Sequence, residues 1–102
     1  MELIETPVFT RQVTEQLSDD DYRALQLYLV LRPEAGAIIP RSGGLRKLRW
    51  GLPGRGKRGG ARIIYYLMTA EARIALLFMY PKNVRSDLSE KELQVLRRLV
   101  EG

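Results

Sequence analysis

The chain has no cysteine and no histidine. The first absence excludes disulfides, thiolate chemistry and zinc–thiolate sites, and it fits a reducing cytosol. The second excludes imidazole as a general base or a metal ligand. A metal site would have to be built from carboxylates alone, and the twelve acids are scattered. Only Asp19, Asp20 and Asp21 adjoin. They stand where a helix should begin, as first-turn charges favoured by the helix dipole. No metal and no cofactor is expected. Long apolar runs are missing too. None approaches the ~20 residues that span a bilayer, and Met1–Leu17 is mixed and acidic, unlike a signal peptide. A cytoplasmic protein with no membrane contact is the expectation.

What is present is basic charge in one place. Of 102 residues, seventeen are Lys or Arg and twelve are Asp or Glu, a net charge of +5. Residues 41–62 read RSGGLRKLRWGLPGRGKRGGAR and hold eight of the basic residues and no acid. The other nine basic residues are outnumbered by the twelve acids. Local basicity says more about a partner than a high pI does. The length suits one domain, 1–102, with a core that needs no disulfide or metal support.

The coarse pattern predicts an α+β fold: a small antiparallel sheet, an N-terminal helical hairpin and a C-terminal helix. A first helix over about Pro7–Gln16 is weakly marked. The second begins strongly: Ser18 caps, Asp21 holds the third position, and Leu17 can staple to Tyr22. Tyr22, Leu25, Tyr28 and Leu29 keep a helical step until Pro33 and Gly36. From Leu45 to Trp50 the period becomes two. Leu48 and Trp50 share one face with Arg46. Lys47 and Arg49 share the other with Leu45. Gly51–Gly60 must be a loop. Ala61–Met68 and Ile74–Tyr80 read as buried strands of one hairpin. Ser89 and Glu92 form a capping box, with Leu93, Leu96, Leu99 and Val100 as the stripe of the last helix. A short strand within Met1–Glu5 is possible.

The loop GRGKRGG superficially resembles a phosphate-binding loop, but it lacks the G-x-x-x-x-G-K-[ST] spacing and joins two strands. A nucleotide-hydrolysing site is not expected. A solvated charge run is the plain alternative. Density argues against it. Arg55, Lys57 and Arg58 adjoin Arg46, Lys47, Arg49 and Arg62, with Lys82 and Arg85 close by. Like charges so crowded repel, and a polyanion relieves the repulsion. The aromatics Tyr65, Tyr66, Phe78 and Tyr80 read mainly as core, and Trp50 reads as a core anchor beside Leu48.

Such a cluster can do chemistry on RNA, which carries its own nucleophile. The 2′-OH attacks the adjacent phosphate in line. Lys and Arg stabilise the phosphorane, and a Lys of lowered pKa among cations can move protons. The same residues could also only bind.

The segments GGLRKLRW, GRGKRGGARIIYYL and LLFMYPKN followed by SDLSEKEL resemble the RelE/ParE superfamily of bacterial toxins of type II toxin–antitoxin systems, and within it the HigB-like branch. The resemblance covers nearly the whole chain, and KRGG-A-RIIYY is its most specific part. It implies a ribosome-dependent endoribonuclease, an mRNA interferase acting on mRNA in the ribosomal A site. It also implies a cognate antitoxin, usually a helix-turn-helix, HigA-like protein. By position, Lys47 and Arg49 match the basic pair on the active-site strand, Arg62 the arginine on the next strand, and Lys82 a basic group after the last strand. Three positions depart: Asn83 stands for an arginine of some members, Ser89 for a stacking tyrosine, and Val84 for an acid of close relatives. The proton-transfer candidates are Lys57 or Lys47. Catalytic candidates are thus Lys47, Arg49, Lys57, Arg62 and Lys82, and RNA-binding candidates are Arg46, Arg55, Arg58 and Arg85. The alternatives are a ParE-like poison of DNA gyrase without nuclease activity and a binding-only RNA module.

Overall fold

Ser18 and Ser89 each accept a hydrogen bond from the backbone N–H three residues on, and each starts a helix in the computed structural model, which describes residues 1–51 and 60–101. In chain order the elements are β1 (Glu2–Glu5), α1 (Pro7–Gln16), α2 (Asp19–Leu31), β2 (Ala37–Ile38), β3 (Leu45–Trp50), β4 (Ala61–Met68), β5 (Arg73–Pro81) and α3 (Glu90–Leu99). Thr6 caps α1, and Pro7 takes the first helical position, where its missing N–H costs nothing. Three aspartates fill the first turn of α2. In α3 the full capping box is made: Ser89 accepts from the Glu92 N–H, and the Glu92 carboxylate accepts from the Ser89 N–H.

The five strands form one sheet in the order β1-β5-β4-β3-β2. All neighbours are antiparallel except β1, which runs parallel to β5. The fold class is the expected α+β, with this one parallel edge added. Strand β2 carries no sequence signal, being two exposed residues paired to Lys47 and Arg46.

The period-two pattern sorts side chains onto two faces. One face buries Leu48, Ile63, Tyr65, Ile74, Leu76 and Met79 against Phe9, Val13, Leu25 and Leu29 of the helical hairpin. The other buries Leu45, Ile64, Leu77 and Tyr80 against Leu93 and Leu96 of α3. Trp50 packs its ring 5.5 Å from that of Tyr28, on the hairpin side. Leu99, expected in the α3 stripe, is exposed at the last position of the helix, while Val100 beyond it packs against the core.

One irregularity positions the functional face. Ile64 pairs with Phe78 while Tyr65 pairs with Leu76, so Leu77 is an extra residue in β5. Strict alternation from Leu76 would turn Phe78 and Tyr80 toward the hairpin. The bulge turns both to the α3 side, and it sets Tyr80 beside Arg62 on β4.

Candidate functional site

Strand alternation puts Lys47 and Arg49 on the α3 side of the sheet, as their spacing predicts. Register then does what sequence alone could not: Arg49 and Arg62 are Cα partners across β3 and β4. The α3 leucines cover the Leu45–Ile64 end of this face. The other end of the two strands carries guanidinium groups instead.

Arg49, Trp50, Gly51, Gly60, Arg62 and Lys82 line an open hollow of about 240 Å³. Lys82 is held there by its backbone, whose N–H donates to the Gly60 carbonyl at 2.9 Å. Arg62 is only 7% exposed. Its guanidinium donates to the neighbouring Ala61 carbonyl at 3.3 Å. Among the described residues no carboxylate lies in salt-bridge reach of Arg49, Arg62 or Lys82. A buried charge without a counter-ion is costly to fold. The arrangement is one that an anion would complete.

Lys47 stands two residues along β3 from Arg49, about 6.6 Å away on the same face. Its Nζ donates to Asp87 at 2.6 Å. Asp87 follows β5 in the loop before α3, and the Lys47 hydrogen bond and charge hold its carboxyl below the ordinary carboxylate value, helped by Arg62 and Arg49. Sequence reasoning singles out no acid at the site, because nothing around Asp87 marks it. Its importance comes only from the fold. For Lys47 the setting is not the all-cation surrounding that the sequence suggests. Its Nζ is engaged by a carboxylate instead.

Tyr80 forms part of the floor between Lys47 and Asp87, in a second hollow of about 180 Å³ that Arg41, Ile64 and Leu93 also line. Its hydroxyl donates to the Ser86 carbonyl at 3.2 Å. Burial, and secondarily the Asp87 charge, pushes its pKa up. Tyr80 therefore stays protonated and acts as a donor and a wall.

Other expected residues lie elsewhere. Arg46 is on the opposite face, as alternation required, and is not part of the cluster. Its Nη1 donates to the Gly36 carbonyl at 2.8 Å and the Glu34 carbonyl at 3.3 Å. That bond set fastens the α2–β2 connection to the sheet. Arg85 is committed to Glu92, with both guanidinium nitrogens donating to the carboxylate. This pair brings Glu92 down to about 2 and secures the start of α3. Arg55, Lys57 and Arg58 lie outside the described residues. The structure thus joins Lys47, Arg49, Arg62 and Lys82 in one surface, adds Asp87, and sets Arg46 apart.

The family model described as the RelE toxin of the RelE/RelB toxin–antitoxin system matches residues 4–101, and the chain belongs to that family. Its structure is similar to that of the Escherichia coli toxin RelE, solved in the free state as a double arginine-to-alanine mutant. The TM-score is 0.62 at 13% identity, over 94% of this chain and 95% of that one. At that identity the likeness is one of fold.

Proposed function

We propose that this toxin is a ribosome-dependent mRNA endoribonuclease that arrests translation. The observation that carries the reading is the Arg49–Arg62 pair, with Arg62 buried and no carboxylate in salt-bridge contact with either among the described residues. The buried Arg62 guanidinium, with the exposed Arg49 opposite it, fits the charge that develops when a 2′-OH attacks its own phosphodiester. The attacking oxygen bonds to phosphorus, the P–O5′ bond breaks, and a 2′,3′-cyclic phosphate and a 5′-hydroxyl result. Arg49 and Arg62 hold the non-bridging oxygens. Lys82 sits at the rim of the same hollow and serves the leaving side. The proton leaves the 2′-OH toward Lys57 or toward the Lys47–Asp87 pair. Of these, Asp87 is already ionised above acidic pH and needs no further deprotonation.

The HigB-like segment KRGG-A-RIIYY supports placing the chain in that branch, with a helix-turn-helix antitoxin as its partner and the bacterial cytoplasm as its place of action. The basic face suits an mRNA backbone in the ribosomal A site.

The test is primer extension on a reporter mRNA in a purified translation system, with the wild type and Arg62→Ala, with and without ribosomes. Cuts in codon register that need ribosomes and fall on the order of 10²–10³-fold in Arg62→Ala are expected. Undiminished cutting by a folded Arg62→Ala protein would overturn the reading. No cutting, together with inhibition of gyrase supercoiling, would transfer the chain to the gyrase poisons.

A further inference from the structure

A further basic hollow lies at the far end of the same face, and it shares only Arg41 with the hollows above. It measures about 260 Å³ and is lined by Arg41, Ser42, Gly43, Gln94, Arg97, Arg98 and Glu101. Three arginines against one glutamate leave it positive.

Arg97 is held as a ligand-binding arginine is held. Its guanidinium carbon stacks over the Tyr66 ring at 4.7 Å from the centroid. Its Nε donates to the Gly43 carbonyl at 2.9 Å, and its Nη2 reaches the Tyr66 hydroxyl at 3.5 Å. Gly43 makes this seat possible. It takes φ +74, and a Cβ there would stand 2.9 Å from the Arg97 Nε. With one edge and one face of the guanidinium fixed, the Nη1 is left over. It is buried and makes no hydrogen bond among the described residues. The Glu101 carboxylate, at 3.9 Å, is near enough to count as an ion pair and too far to satisfy the N–H.

A plainer account exists. Arginines in a last helical turn are favoured by the helix dipole. That account covers Arg98. It does not cover Arg97, which spends its Nε on a carbonyl of the β2–β3 connection and leaves a buried donor without a partner. The enclosed Nη1 is disfavoured as it stands, and the rest of the side chain, 27% exposed, is what an anion in the hollow would meet.

The two hollows are linked by residues already placed. Arg41 lines this one and also the Lys47–Asp87 hollow. Arg41 holds a left-handed backbone at φ 59 and extends to Glu90 at 3.0 Å with both side chains exposed, so the pair is easily exchanged. Basic groups thus follow one another from Lys82 and Arg62 through Arg49 and Lys47 to Arg41 and Arg97. From Arg49 to Leu45 the strand covers four residues, about 13 Å, and Arg97 lies beyond. That reach equals a few nucleotides of single-stranded RNA.

We propose that Arg97, flanked by Arg41 and Arg98, is a second phosphate site, which binds the RNA backbone a few nucleotides from the Arg49–Arg62 centre. This deepens the nuclease reading and rests on it for the identity of the polyanion. The occupant favoured is a phosphodiester and not a protein carboxylate, because the site continues a basic track that already ends at a phosphate-seeking pair.

The test uses 2′-O-methyl RNA, which cannot be cut, as a trinucleotide and as a dodecamer, with binding followed by fluorescence anisotropy. Arg97→Ala, and separately the exposed pair Arg41→Ala/Arg98→Ala, should weaken the dodecamer about tenfold at low salt and leave the trinucleotide unchanged. The salt slope of the dodecamer should fall by about 0.7 for each phosphate that is no longer neutralised. The surface pair guards against a folding defect in Arg97→Ala. Equal weakening of both lengths, or an unchanged dodecamer in both variants, would overturn the proposal. So would a polyglutamate peptide that needs Arg97 while the dodecamer does not, which would make the hollow a protein-binding site. Arg62→Ala should weaken both lengths. Should Arg62→Ala leave both untouched while Arg97→Ala weakens only the dodecamer, the second site stands and the reading of the Arg49–Arg62 centre falls.

Discussion

Arg49 and Arg62 stand directly opposite each other on adjacent antiparallel strands. Like charges in that relation oppose sheet formation, where an opposite-charge or apolar pair would assist it. The sheet tolerates the pair because Ile63, Ile64 and Tyr65, buried around it, hold β4 in register. The cost is kept at the site where an anionic substrate would remove it.

A trade between stability and activity follows. Arg49→Gln should raise the unfolding free energy by roughly a few tenths of a kcal/mol, since an exposed like charge is removed. The same variant should lose most of its cleavage activity. Equilibrium unfolding in urea and single-turnover cleavage, measured on one preparation, check both signs. A variant that loses stability would show that Arg49 packs more than it repels.

The Lys47–Asp87 pair yields a prediction of opposite sign for binding. Asp87 is the carboxylate paired to Lys47, and its charge reaches Arg49 and Arg62. Asp87→Asn removes the anion that competes with phosphate for Lys47. RNA affinity at low salt should rise roughly three- to tenfold, and the gain should shrink as salt screens it. If cleavage falls while binding tightens, Asp87 acts in the chemistry. Unchanged binding would mean that the carboxylate is screened from the RNA path.

Much of the fold is legible in the sequence because its signals are local. The caps at Ser18 and Ser89 and the alternation in Leu45–Trp50 each depend on residues within a few positions. Alternation also assigns Lys47 and Arg49 to the working face, and it assigns Arg46 to the other, although charge alone groups Arg46 with the RNA ligands. What cannot be read depends on distant partners. The short strand within Met1–Glu5 can be read, but not that it runs parallel to β5. β2 is two exposed residues. The bulge at Leu77, which turns Tyr80 toward the site, exists only in the pairing of β4 with β5. Asp87 escapes a sequence reading for the same reason, since its partner is forty residues away.

The Arg85–Glu92 pair predicts an acid dependence. Glu92 is lowered from 4.5 to about 2, first by the Arg85 hydrogen bonds and then by the Ser89 N–H. A carboxylate depressed on folding contributes its full stabilisation above its unfolded value, and that contribution is lost as pH falls through the folded value. The wild type should therefore lose stability between about pH 4.5 and 2. Glu92→Gln keeps the side-chain acceptor at the third helical position and removes only the charge. It should be less stable than the wild type at pH 7, with a difference that closes as pH approaches 2. Urea midpoints across that range supply the check, and a constant difference would assign the effect to packing.

The Tyr65 hydroxyl anchors the β2–β3 edge behind the site. The fully buried Tyr65 donates to the Pro33 carbonyl at 2.7 Å and accepts from the Gly36 N–H at 2.8 Å. Gly36 is pressed against that ring: a Cβ there would stand 2.7 Å from Tyr65 Cε1. The Gly36 carbonyl in turn receives Arg46, whose neighbour Lys47 faces the site. Tyr65→Phe leaves two backbone groups unpaired and should cost about 1–3 kcal/mol. Gly36→Ala should cost a similar amount by forcing the ring aside. Neither change touches the Arg49–Arg62 pair. Below the melting temperature, Tyr65→Phe should cut RNA at close to the wild-type rate while unfolding at lower urea. A rate that falls with the stability would mean that the β2–β3 edge, and Lys47 with it, is positioned by this hydroxyl.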